Sequence, residues 1–215
     1  DELKKAFAVA IEASPAKSAI IEEFIDGFEI SANAYMLNGR LKLDFLTERI
    51  SFDQYPGGII KSHLFPVTRP YNAARVKAML EKTVSHLNIN NGPAYFQIKI
   101  NNMGDPKIIE VTPRFDGCHL WRLINMLGGP NLFEVTLNHL SGCKIDDNIF
   151  NTENFNNVNS AELSFFTQPP QTAMNKNNSH ISDKAQFFEW FYEDGEIIRP
   201  INGYQEKIGY QIIIE

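Results

Sequence analysis

Along Gly92 to Ile100 polar and apolar side chains take turns: Tyr95, Gln97 and Lys99 alternate with Phe96, Ile98 and Ile100. A period of two predicts a strand with one face buried. Asn101 to Pro106 ends it as a turn, and Lys107 to Pro113 repeats the alternation as a second strand. Phe28 to Ile50 reads as another hairpin, bent at Asn38-Gly39, a pair that favours the positive φ needed at both turn positions. Ser51 to Arg69, with Pro56-Gly57-Gly58 and His63, reads as a long connection of the kind that lines a site. His63 is read as a hydrogen-bonded structural histidine.

Elsewhere the period changes to three and four. Leu3, Ala6, Phe7, Ala10 and Ile11 predict a helix packed by one face. Pro70 can open a second helix, whose buried stripe is Val76, Met79, Leu80, Val84 and Leu87. Helices are also expected over His119 to Leu127 and Asn131 to Leu140, split by Gly128-Gly129 and closed by Gly142. His119 and His139 are given packing roles. Asn148 to Ser160 is rich in Asn, and Pro169-Pro170 is followed by Asn175 to Asn178. These are loops over a small β unit in which Phe187 to Phe191 and Glu196 to Ile201 flank the Asp194-Gly195 turn. Ile208 to Ile214 is a last strand, buried or at an edge, and Trp190 belongs to the core.

Composition changes this picture little. Of 215 residues, 43% are hydrophobic and 21% charged, as in an ordinary globular protein. A net charge of -6 without a basic stripe argues against a nucleic-acid partner. No run approaches the roughly 18 apolar residues of a membrane span, and no signal peptide is evident. Cys118 and Cys143 lack metal-ligand spacing and read as reduced, buried thiols of a cytoplasmic protein.

The chemistry concentrates in Gly92 to Gly117. Strand alternation places Gln97 and Lys99 on one face, and Ile108, Glu110 and Thr112 on one face of the next strand. Pairing the strands sets Gln97 beside Glu110, with Arg114 close by. An amide oxygen, a carboxylate and a hydroxyl beside a guanidinium suit Mg²⁺ and a nucleoside triphosphate. An ordinary hairpin with one polar face in water would show the same alternation.

The words GPAYFQIKI and IIEVTPR resemble the end of the ATP-grasp fold, with the Gln closest to its carbamoyl-phosphate-synthetase-like members. The resemblance implies Gln97, Glu110 and Thr112 as metal ligands and Arg114 on the phosphate side. Thr112 stands where the family usually has Asn, which puts a complete second metal site in doubt. AIIEEFIDGFEIS, from Ala19 to Ser31, is similar to the family's adenine-hinge strand and the turn after it. It implies adenine contacts from backbone at Glu22, Glu23 and Ile25, and a ribose contact from Glu29, since a carboxylate accepts two hydrogen bonds from a diol. Arg49 is a candidate phosphate contact, or else an ion-pair partner of Glu48 or Glu23.

The expected architecture is α+β, a mostly antiparallel sheet with packed helices. Residues 1–142 would form a partial ATP-grasp domain and 143–215 a small β-rich extension. The family's phosphate-covering loop and its Lys are missing, so the chain looks like the carboxyl-terminal part of a longer protein. The implied activity is an ATP- and Mg²⁺-dependent ligase reaction on small molecules: a carboxylate is activated as an acyl phosphate, then attacked by an amine or similar nucleophile. A nucleotide-binding regulatory module and a non-catalytic scaffold are the alternatives. Homo-oligomers are open to it.

Overall fold

The alternating segments come together as one eight-stranded sheet in the order β5-β4-β1-β2-β3-β6-β8-β7, every neighbouring pair antiparallel. The strands are β1 Phe28–Leu37, β2 Arg40–Ser51, β3 Ile60–Phe65, β4 Gly92–Ile100, β5 Pro106–Thr112, β6 Ala161–Gln168, β7 Ala185–Trp190 and β8 Glu206–Ile214. The computed structural model describes residues 1–55 and 58–215, so the Pro56-Gly57 part of the expected long connection lies outside the described residues. The rest of that connection is not all loop. Ile60–Phe65 is a strand interior to the sheet, hydrogen-bonded to β2 and β6.

Local chemistry explains the turns. Asn38 and Gly39 take φ of 52° and 72°, as the β1-β2 hairpin requires. Gly27, at φ 133°, passes so close to the end of β4 that a Cβ would collide with the Ile100 carbonyl.

Helix α2, Ala73–His86, begins three residues later than Pro70, because the Asn72 side chain caps the backbone N–H of Arg75. Its Val76, Leu80 and Val84 are buried against Ile30, Phe96 and Ile98, whereas Leu87 is exposed. On the opposite face, α3 Leu120–Met126 and α4 Leu132–Leu140 cover Tyr35, Leu43 and Phe45. Gly142 adopts the expected left-handed conformation at φ 78°.

Several expectations are corrected. Helix α1, Glu2–Ala13, buries no residue: Leu3, Phe7 and Val9 stay exposed. Of its apolar stripe only Ile11 is half-buried, so periodicity there did not mean a packed face. Residues 196–201 form only an isolated bridge, Ile197 to Ala173, and β6 supplies the strand that joins β8 to β3. The strands after residue 143 therefore extend the same sheet, with Leu163, Tyr210 and Ile212 in one apolar cluster with Tyr35 and Phe45. Cys118 is buried but Cys143 is exposed, and both are free thiols. No described helix is long and apolar enough to cross a membrane.

Candidate functional site

The face of the sheet that carries α3 and α4 changes character along its length. Where β1 starts and β4 ends, its side chains are polar. Cross-strand register lines up Arg49, Glu29 and Lys99 in one row, and Thr47, Ser31 and Gln97 in the next. Glu29 is the hub. Its Oε2 accepts from Arg49 Nη1 and from Gln97 Nε2 (2.9 Å), while its Oε1 lies 3.5 Å from Lys99 Nζ. Arg49 thus pairs with Glu29, neither Glu48 nor Glu23. Its Nη2 also donates to the Gly58 carbonyl at 3.2 Å, and only 9% of its side chain is exposed. Glu48 lies on the other face with Arg69.

Gln97 and Glu110 are direct cross-strand partners, and Thr112 pairs with Tyr95 in the next row of the same face. One part of the expected face fails. A bulge between Gln97 and Ile98 lets Ile98 pair with Ile108, leaving Ile109 unopposed. The extra residue flips the pleat, so Ile108 packs with Ile98 on the α2 face while Glu110 and Thr112 keep the polar one.

The residues present fit a hard cation. The Gln97 amide nitrogen is turned to Glu29, which leaves its carbonyl oxygen for a ligand. Thr112 Oγ1 is buried without a hydrogen-bond partner, and the half-exposed Glu110 supplies a carboxylate. Oxygen donors of this kind suit Mg²⁺. Arg114 lies at the rim, 57% exposed, donating to the Phe115 carbonyl at 2.7 Å and standing 3.8 Å from Glu110.

Beside this row lies a buried cluster that sequence spacing did not announce. His63, on β3, is fully buried and shares a 3.1 Å hydrogen bond with Thr47 Oγ1. Ligand atoms of His63, Asp116 and Cys118 lie within 4.8 Å of one another. Asp116 Oδ1 accepts from the backbone N–H groups of Cys118 (3.2 Å) and Leu120 (3.4 Å), an Asx-type turn into α3. Lys207 Nζ, from β8, reaches Cys118 Sγ at 3.5 Å. Burial pushes Asp116 up to about 6, against the hydrogen bonds and Lys207. Burial likewise raises Cys118 to about 11 and holds His63 well below its ordinary range, with Lys207 and Arg49 adding to the effect on His63. The two cations and the protonated thiol oppose a metal ion here.

Asn33 Nδ2, Arg49 Nε, His63 Nε2, Thr112 Oγ1 and Asp116 Oδ2 are buried without hydrogen-bond partners, all on or beside this polar floor. Buried polar atoms are ordinarily paired, so these are groups that a ligand could satisfy. A larger opening of about 720 Å³ lies near α2, but its Arg75 and Asp105 already pair with each other.

The segment expected to form the adenine hinge is placed differently from expectation. No strand forms before Phe28, Glu22 and Glu23 are exposed, and Ile25 is half-buried in an irregular segment. Ile20, Ile21 and Phe24 are also exposed, so this segment has no neighbouring strand among the described residues to hold it extended. His119 does not join the Gln97–Glu110–Thr112 row. It takes φ 60° before α3 and stacks on Tyr210 at 4.6 Å. His139 approaches the Tyr35 hydroxyl at 3.5 Å. Asp116, two residues past Arg114, could have been suspected from its neighbours. Lys207 carried only the faint signal of a charge inside an apolar strand.

A family model described as an ATP-grasp domain matches residues 2–121. No curated protein matches the chain in sequence at a significant level. Among solved structures, L-amino acid ligase from Bacillus licheniformis is 19% identical with a TM-score of 0.69, over 89% of this chain and 50% of that one. Phosphoribosylglycinamide synthetase from Anaerococcus prevotii is 16% identical with a TM-score of 0.69, over 100% and 55%. The biotin carboxylase domain of Hydrogenobacter thermophilus 2-oxoglutarate carboxylase, in complex with MgADP, ADP and bicarbonate, gives 13% and 0.72, over 100% and 47%. The chain therefore spans about half the length of each of these proteins. The architecture is theirs, and with more than half of its 215 residues matched by the family model the chain belongs to the ATP-grasp family.

Proposed function

We propose that this chain carries the metal and nucleotide wall of an ATP-dependent ligase that activates a carboxylate for attack by an amine or similar nucleophile. The observation that carries the reading is the juxtaposition of Gln97, Glu110 and the unpartnered Thr112 hydroxyl on one face, next to the Glu29–Arg49 pair. Gln97 Oε1, the Glu110 carboxylate and Thr112 Oγ1 would hold Mg²⁺. The ion, when bound, neutralises phosphate charge. Arg114 would approach the phosphates from the rim, with its guanidinium suited to two oxygens at once.

Glu29 keeps Arg49 and Gln97 in place and offers Oε1, whose contact to Lys99 is long, to a ribose hydroxyl. Arg49 and Lys99 balance its charge and add positive potential near the phosphates. Glu22, Glu23 and Ile25 would contribute backbone groups to adenine once their segment is ordered. In the reaction class, a carboxylate oxygen attacks the γ-phosphorus and ADP leaves; the nucleophile then attacks the acyl carbon and phosphate leaves. The residues act by position and charge, as expected for phosphoryl transfer.

Calorimetric titration with ATP, with and without Mg²⁺, tests this. Binding is expected to be weak, since Glu110 and Arg114 are half-exposed and their ionic contacts are screened by water. It should depend on Mg²⁺ and fall about tenfold or more in Glu110→Ala. Metal-independent binding, or unchanged affinity in that variant, would overturn the assignment.

A further inference from the structure

A second concavity opens on the far side of Arg49, between the start of β3 and the start of β8. Its volume is about 410 Å³, within the range of small-molecule sites. Ile59, Ile60, Phe191, Tyr192 and Ile201 supply apolar walls. Arg49, Lys207 and Arg199 supply positive charge, and Glu206 is the acid among the lining residues.

The charges are not equivalent. Glu206 is buried, and its Oε1 accepts from the N–H groups of Ile201 (2.8 Å), Asn202 (2.6 Å) and Gly203 (2.9 Å). Its Oε2 accepts from Asn202 Nδ2 at 3.2 Å. That carboxylate is occupied in shaping its own loop. Lys207 has no acidic partner within ion-pair distance among the described residues; its Nζ lies 3.8 Å over the Phe165 ring and 3.5 Å from Cys118 Sγ. Arg49 is nine-tenths buried and its Nε has no acceptor. Two cationic side chains border an apolar space, and the acids nearest to them, Glu29 on Arg49 and Asp116 near Lys207, lie outside its lining. Charged donors in such surroundings favour an anionic acceptor.

We propose that this cavity is the seat of the carboxylate substrate, and that it selects a monocarboxylate with an apolar or aromatic body. The inference rests on the ligase reading above. Lys207 and Arg49 Nε would receive the carboxylate, and the Ile59, Ile60, Phe191 and Ile201 walls would take the body. A phosphate cluster fits poorly, because most of the wall is apolar. A dicarboxylate would have to bury its second charge against that wall or reach Arg199, which is exposed and therefore worth little. Arg49 joins the two sites, since it also holds Glu29 at the edge of the metal row.

The test uses the full 215-residue chain and binding, not turnover. Methyl NMR signals of Ile59, Ile60 and Ile201 are followed during titration with 3-phenylpropanoate, succinate and the uncharged 3-phenylpropanamide, each with and without MgADP. 3-Phenylpropanoate should shift these signals and bind about tenfold or more tighter than the amide. Lys207→Met should lose about tenfold or more, while Arg199→Ala should lose less than about threefold. Thermal unfolding of both variants confirms the fold. Equal binding of amide and acid, preference for succinate, an unaffected Lys207→Met protein, or no shift with any probe would each overturn the proposal. The MgATP titration reads the other site, so failure of one reading is distinguishable from failure of the other.

Discussion

The two faces of the sheet are built from the same strands and read with the same alternation, yet their interiors differ. On the α2 face, Ile30, Ala32, Phe96, Ile98 and Ile100 are sealed under Val76, Leu80 and Val84, and the buried acid Glu48 meets Arg69. On the α3–α4 face, an apolar half around Tyr35, Leu43 and Phe45 gives way to Asn33, Thr47, His63, Asp116 and Arg49, several with buried atoms that find no partner. One face is optimised for packing. The other keeps polar groups that are underused in the free protein, the pattern expected where stability yields to binding.

Substitutions on the two faces should therefore act in opposite directions. The largest effect is expected at Phe96, which is fully buried under α2. Phe96→Ala should lower unfolding free energy by about 3–5 kcal/mol in urea titrations, with MgATP binding altered only through loss of folded protein. A loss below about 1 kcal/mol would mean that the α2 face is not the structural one.

Asp116→Asn should do the reverse. The Asp116 carboxyl titrates at about 6 in the folded chain against an ordinary 3.8, so between these values the folded state binds more protons than the unfolded. Its contribution is favourable at low pH and is lost as pH rises through 6, leaving a deficit on the order of 2–3 kcal/mol at pH 7. Asparagine keeps an oxygen for the Cys118 and Leu120 N–H groups. The variant should be more stable than the parent at pH 7, and the gap should close as pH falls toward 4. A gap that widens on acidification would show that burial does not control this carboxyl.

A smaller effect is expected at Thr112, whose hydroxyl lacks a partner. Thr112→Val should leave stability unchanged or raise it by up to about 1 kcal/mol while weakening Mg²⁺-dependent ATP binding. Stability lost together with unchanged nucleotide affinity would place Thr112 in the structural class. The smallest effect is expected outside both faces. Phe7 sits on a helix with no buried residue, so Phe7→Ser should change stability by less than about 0.5 kcal/mol.

Much of the fold was legible because its signals are local. Alternation and the Asn38-Gly39 turn located the β1–β2 hairpin, and the β4–β5 pair followed from Gln97, Glu110 and the turn between them. Helices α2, α3 and α4 were legible from spacing and caps. Where sequence reading failed, a nonlocal partner decided. Ile60–Phe65 is a strand because β2 and β6 accept it, and residues 19–25 are not a strand because no strand among the described residues pairs with them.

The order of residues by itself determined that Gln97 and Glu110 meet on one face, since a hairpin turn and a two-residue period require only neighbours in the chain. Only the tertiary structure decided that Ile108 leaves that face, that Arg49 closes on Glu29, and that Lys207 reaches Cys118 beside His63. These contacts depend on two bulges, between Gln97 and Ile98 and between Tyr35 and Met36, and on the strand order β2-β3-β6-β8. Periodicity says which side of a strand a residue takes, but chain entropy leaves open which distant strand lies beside it until the apolar cluster under α3 and α4 is packed.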